Sequence, residues 1–131
     1  WGNINIWTRI RNAIIRRLKL EKEIYYYDYD KTWKEVLKNA AKHSESNFFH
    51  GAFVGYDDTP RRGNRRSRVV IGRTPEKFAK YLSKLLDIST KQGKELIFLT
   101  AWNEWSEGAY LEPDERNSYS YLEAIKKAIN D

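Results

Sequence analysis

"ELIFLTAWNEWSEGAYLEP", Glu95 to Pro113, decides how this chain reads. Its first half, Leu96 to Leu99, is a continuous apolar run of strand length, the pattern of a strand covered on both faces in a parallel sheet. Its second half leaves that strand and at once places Trp102, Asn103, Glu104, Trp105, Glu107 and Gly108 on a turn. Carboxylates are rarely buried unless paired, and solvated turns have little use for indole rings. A turn that carries both points to a site.

Working outward, the residues before this strand predict a helix. Thr74 is its N-cap, Pro75 sits at the first helical position, and Glu76 faces the positive end of the helix dipole. Phe78, Leu82 and Leu85 give the inward stripe, and Gly93 ends it. Upstream, "NFFHGAFVGY" (Asn47 to Tyr56) reads as a second strand, and "DDTPRRGNRRSR" (Asp57 to Arg68) as the loop after it. Ahead of that strand, "YYYDYDKTW" leads into a helix capped by Asp30, with Trp33, Val36, Leu37 and Ala40 on one face. At the far end, Ser118 is placed to cap a last helix with Leu122, Ile125 and Ile129 inward. Residues 1–24 read as a basic amphipathic helical segment. Ile6, Trp7, Ile10, Ile14 and Leu18 recur at helical spacing between Arg9, Arg11, Arg16, Arg17 and Lys19, for packing on the protein itself or on a membrane surface.

Strands alternating with helices predict βαβ units and an α/β fold with a parallel sheet. Two convincing strands do not make a stable sheet on their own. The loops that leave the strands are long and chemically loaded, whereas those that return to them are plain. That asymmetry belongs to a (β/α)8 TIM-type barrel, whose chemistry collects at the carboxyl ends of its strands. A whole barrel takes about 250 residues; with 131 residues, the expectation is the carboxyl-terminal portion of one, spanning 25–131.

Composition narrows the classes further. With 40% hydrophobic and 32% charged residues the chain is not of the disordered type. The absence of Cys excludes disulfides and thiolate metal sites, which fits a reducing, cytoplasmic compartment. No apolar run approaches the ~20 residues of a membrane-spanning helix. The formal charge of +6 favours anionic partners such as nucleic acid, an inner-membrane surface or a sugar phosphate. His43 and His50 lack clustered ligand neighbours, so no metal is expected, and no cofactor. The chain opens on Trp1 and contains no Met, which reads as a piece of a longer protein whose targeting signal is not visible.

The two loaded loops suggest glycan chemistry. Glu104 and Glu107 stand three residues apart on a sharp turn, and two carboxylates flanking one bond are what glycosidic cleavage or transfer requires. Trp102 and Trp105 can wall a sugar's apolar faces and raise the pKa of one glutamate by desolvation. Asn103 can hold a hydroxyl or orient a carboxylate, and Tyr110 joins the substrate-contacting set. In the first loop, Asp57 and Asp58 can accept sugar hydroxyls, while Arg61 and Arg62 can clamp a phosphate or carboxylate; the alternative is a surface turn in which the aspartates pair with the arginines. The separation of the two carboxyl groups, and with it the stereochemical outcome, stays open.

"AWNEWSEGAYLEPD" followed by "YSYLEAI" resembles the carboxyl-terminal end of the WbsX-type proteins, a family of glycosyltransferases or lipopolysaccharide-biosynthesis proteins related to glycoside hydrolase family 99. "FVGYDDTPRRG", "TPEKFAKYL" and "ELIFLTAWNEW" resemble it too, in the same order, over roughly Tyr25 to Ile129. The resemblance implies a (β/α)8 barrel acting on mannose-containing or cell-surface polysaccharide. It also implies a retaining reaction, in which Glu104 acts as base on the substrate's own 2-hydroxyl and Glu107 as general acid and then base. Ser106 stands where the hydrolases commonly carry His, and Tyr56-Asp57-Asp58 where the family more often shows Trp-Asp-Asn. Hydrolysis and transfer remain open, as do two non-catalytic alternatives, a carbohydrate-binding module and a basic nucleic-acid-binding module. No recognisable nucleic-acid motif is present, so no specific nucleic-acid partner is expected.

Overall fold

The computed structural model describes Trp7, Ile10, Ile14, Arg17 and residues 23–130. The elements are β1 (Glu23–Asp28), α1 (Tyr29–Lys42), β2 (His50–Phe53), α2 (Thr59–Arg62), β3 (Arg65–Ile71), α3 (Pro75–Lys91), β4 (Ile97–Thr100), β5 (Asn103–Glu104), a 3-10 turn (Trp105–Glu107), β6 (Ala109–Tyr110) and α4 (Ser120–Asn130). The class is mixed α/β, as the alternation of elements predicts. β1 pairs with β3 and β2 with β4, both in parallel, and β5 and β6 form a short antiparallel hairpin. The described strands therefore form separate two-stranded sheets rather than a closed barrel.

Several expectations need correction. β1 and β3 were missed. The "YYYD" run is β1 rather than a lead into the helix, and "RRSRVVI" is a strand despite its arginines. An arginine-rich sequence looks like loop because its charges outnumber the apolar residues between them. Here Ser67 is buried and Val69 and Val70 are half-buried, while Arg65 and Arg68 are exposed. Asp28, not Asp30, caps α1, accepting the Lys31 amide at 2.8 Å. Asp30 lies in the first turn and reaches across to α3 instead, where it accepts Lys77 Nζ at 2.6 Å and the Tyr81 hydroxyl at 2.7 Å. Of the basic segment, Ile6, Leu18, Arg9, Arg11, Arg16 and Lys19 lie outside the described residues. Trp7, Ile10 and Ile14 are helical and exposed.

α3 begins and ends as its sequence predicts. Thr74 Oγ1 accepts the Lys77 amide at 3.2 Å. At the other end, the Gly93 amide donates to Thr90 O and the Lys94 amide to Ser89 O, with Gly93 at φ 67°. That is a Schellman stop, whose left-handed residue is normally Gly. α4 differs from expectation. It begins at Ser120, and Ser118 (φ 47°) closes a turn on Asp114 O rather than capping the helix. Leu122 and Ile125 pack against the core as expected, beside the buried Tyr121, Ala124 and Ala128, whereas Ile129 is 66% exposed. Small alanines let α4 lie close on α3, and that contact sets the face.

The core is aromatic. Trp33 of α1 lies between Phe53 of β2 (5.3 Å, 14°) and Tyr81 of α3 (5.6 Å, 6°), and Tyr29 meets all three rings edge-on. Phe78 meets Tyr121 edge-on at 5.9 Å, tying α3 to α4. Burial pushes the Tyr29 phenol far up, so it stays neutral.

The Asp30 cluster has a pH signature. Hydrogen bonds from Lys77, then from Tyr81, hold the Asp30 carboxyl below its usual value of 3.8. A carboxyl with a depressed folded pKa contributes stability that is present above the unfolded pKa and is lost as pH falls through the folded one. Asp30→Asn is therefore expected to lower the melting temperature near neutral pH, with a difference that starts to shrink below about pH 4 and vanishes once pH passes below the folded value. Thermal melts of both proteins across that range check it; a constant difference down to the lowest pH would contradict it.

Candidate active site

Parallel pairing of β2 and β4 sends both chains out on the same edge of the sheet. The two loaded loops consequently meet. The Asp57 amide donates to Glu107 O at 2.6 Å. Arg61 of α2 forms an ion pair with Glu107 Oε1. Gly108 sits at φ 56°, and a Cβ there would lie 3.1 Å from Asp57 Cβ, so glycine is needed both for the left-handed turn and for the close approach. Gly108→Ala is expected to cost about 1–2 kcal/mol from the left-handed backbone alone, and more from the contact. Chemical denaturation checks this, and an unchanged midpoint would contradict it.

The acidic turn folds on itself. Thr100–Ala101 is a cis peptide, and the hairpin aligns Asn103 with Tyr110 and Glu104 with Ala109. Glu104 is exposed on β5, where the Ser106 hydroxyl donates to its Oε1. Glu107 closes the 3-10 turn with its side chain 19% exposed. Trp102 and Trp105 are 53% and 46% exposed, so neither is a core residue. Trp105 stacks on Tyr110 at 3.8 Å and 16°, and its indole Nε1–H donates to Glu112 at 2.7 Å. Burial raises the Tyr110 phenol, and its hydrogen bond to Asp114 at 2.8 Å raises it further.

In the first loop the structural alternative, an aspartate paired with an arginine, holds at Asp58. Asp58 is 1% exposed, and its carboxylate takes Arg62 Nε at 2.9 Å and the Arg68 amide at 2.6 Å. Asp57 Oδ1 accepts both the amide and the hydroxyl of Thr59, which starts α2. Arg62 is thus committed to Asp58, while Arg61 points at the acidic turn. Tyr56 lies beside them; burial raises its phenol, and the charges of Asp58 and Glu107 add to that.

Arg73 was not singled out from the sequence, yet it holds the site together. Its Nη1 donates to Gly108 O at 3.0 Å, and its guanidinium lies over the rings of Tyr110 (5.5 Å) and Tyr121 (5.9 Å). A Cβ at Gly55 would fall 2.7 Å from Arg73 Cδ, so the arginine crosses bare backbone as it passes. The signal that marks it is its place at the exit of β3, just before Thr74, which is invisible while β3 reads as loop.

The model of the family described as Glycosyltransferase WbsX matches residues 3–125. The chain belongs to that family. It is also similar to "Uncharacterized protein WxcX" from Xanthomonas campestris pv. campestris, in strain B100 and in strain ATCC 33913. Identity to each is 28% over 102 residues, which is 74% of this chain and 14% of the relative. The chain thus spans about one-seventh of the curated relatives it matches. No solved structure matches it. At the level of family, this WbsX chain stands among glycan-modifying proteins. Among its described residues no helix is long and apolar enough to cross a membrane, and no cluster of His, Cys, Asp and Glu could hold a metal ion.

Proposed function

We propose that this WbsX chain is the carboxyl-terminal part of a (β/α)8 barrel enzyme that acts on mannose-containing or cell-surface polysaccharide, with Glu104 as base and Glu107 as acid. Residues 25–131 form the barrel portion and residues 1–24 a basic segment before it. The observation that carries this reading is the meeting of two strand-exit loops on one sheet edge, with Glu107 at their junction. Active sites of barrels are assembled on that edge. Two open apolar features support the barrel. Phe49, Leu96 and Phe98 are exposed beside the β2–β4 pair. A groove of about 300 Å³ runs between α3, β4 and α4, lined by Leu82, Leu86, Ile97, Leu99, Ile125 and Ile129. Further strands and helices of a barrel would cover both.

The side chains divide by role. Trp102, Trp105, Tyr110 and Asn103 line the sugar side of the turn, and Arg61 faces the same space. Asp58 and Arg62 position α2, and Asp57 starts it. Ser106 holds Glu104. A cytoplasmic enzyme at the inner face of the membrane, in lipopolysaccharide or O-antigen synthesis, suits the family and the basic charge. The test is NMR of a panel of α-mannosides, polysaccharides and activated sugar donors with the protein. Turnover with retention at the anomeric centre is expected. Inversion removes the assigned pair of roles, and inertness toward the whole panel removes the enzyme reading.

A further inference from the structure

Two neighbouring arginines of α2 do different work. Arg62 is pinned by the buried Asp58 carboxylate, which also takes the Arg68 amide. That anchoring fixes the short helix, and Arg61 is aimed from it at Glu107 of the other loop. The Arg61–Glu107 pair is not sealed. Its side chains are 49% and 19% exposed, and a pair open to water is held by only about 1 kcal/mol or less. It is therefore exchangeable. While it is closed, Glu107 Oε1 is occupied by a guanidinium and is not offered to a substrate oxygen. A neutral sugar hydroxyl replaces a carboxylate on Arg61 poorly, because it carries no charge. A phosphate or carboxylate replaces it without loss, and a guanidinium grips such a group with two parallel hydrogen bonds. Exposed Arg65 and Arg68 follow on β3 and add positive potential on the approach.

We propose that Arg61 reads an anionic group, phosphate or carboxylate, on the substrate, and that this group draws Arg61 away from Glu107 and so frees the acid. The substrate class is then a glycosyl phosphate or diphosphate donor, or a glycan bearing an acidic residue next to the reacting bond. This rests on the reading of Glu107 as the acid. Glu107 competes with the anion for one guanidinium, which gives the proposal a readout that does not depend on turnover.

The experiment is calorimetric titration of the full-length protein with inorganic phosphate, a hexose 1-phosphate, a hexuronate and the neutral methyl hexoside. It is run on wild type, Arg61→Ala, Arg61→Lys and Glu107→Gln. In wild type the better of the two charged sugars is expected to bind at least about tenfold tighter than the neutral one, a difference of about 1.4 kcal/mol, and whichever it is identifies the source of the anion. Arg61→Ala erases that preference, and Arg61→Lys keeps part of it as a point charge. Glu107→Gln tightens anion binding several-fold, because the internal competitor is gone. Absence of anion binding in wild type, or unchanged anion affinity in Glu107→Gln, overturns the proposal. Equal binding of charged and neutral hexosides, insensitive to Arg61, also overturns it while leaving the glycan site standing. Inorganic phosphate bound in competition with Glu107, with no affinity for any sugar, supports the exchange and removes the glycan reading.

Discussion

Glu107→Gln loses two or more orders of magnitude in turnover, and the loss grows as the leaving group becomes a poorer one. A general acid matters most where the departing oxygen most needs a proton, so the variant suffers least with an activated aryl glycoside and most with a natural alkyl or sugar leaving group. The substitution keeps the side chain's size and leaves the Asp57 amide to Glu107 O bond untouched, since that acceptor is backbone. Its cost in stability is confined to the half-exposed Arg61 pair, about 1 kcal/mol at most, which is too little to unfold the protein and mimic a catalytic defect. Kinetics with a graded series of leaving groups, beside a thermal melt of the same variant, check it. Equal losses across the series would show that Glu107 supports binding rather than proton transfer.

Trp33→Ala is the substitution with the largest expected effect on folding. Trp33 is fully buried and stacked between Phe53 and Tyr81, so three elements, α1, β2 and α3, rest on one ring. Truncating a buried aromatic of this kind costs about 3–5 kcal/mol, a large share of a domain's total stability. The ring's contacts are chiefly stacking ones, so the loss is one of packing. Denaturant unfolding measures it. A cost below about 1 kcal/mol would show that the aromatic cluster collapses around the gap.

What the sequence revealed and what it hid follow from the range of the interactions. α3 was legible from end to end because its cap, its first-turn proline and its Gly93 stop are all local signals. β4 was legible as a strand because an apolar run of strand length leaves few choices, but its expected cover on both faces is not met among the described residues, where Phe98 is exposed. β3 was hidden because its partner β1 lies some forty residues away in the chain, and its exposed arginines outnumber the apolar residues between them. The inward face of α4 was legible at Leu122 and Ile125, which pack against the core, but not at its end, where Ile129 is exposed and Ala124 and Ala128 are the buried residues. In the site, the quoted turn announced its carboxylates and indoles. It did not announce that Ser106 would hold Glu104, or that Arg73 would reach Gly108 from β3. Those pairings bridge separate loops or depend on turn geometry, and residue types alone do not specify them.

The central claim, that the turn after β4 carries the acid/base pair of a glycan-active enzyme, is tested most directly by following α-mannosides, acidic and neutral polysaccharides and glycosyl phosphates by NMR with wild type, Glu104→Gln and Glu107→Gln side by side. The account predicts turnover in wild type and a loss of two or more orders of magnitude in each variant. Turnover in both variants equal to that of wild type would contradict it.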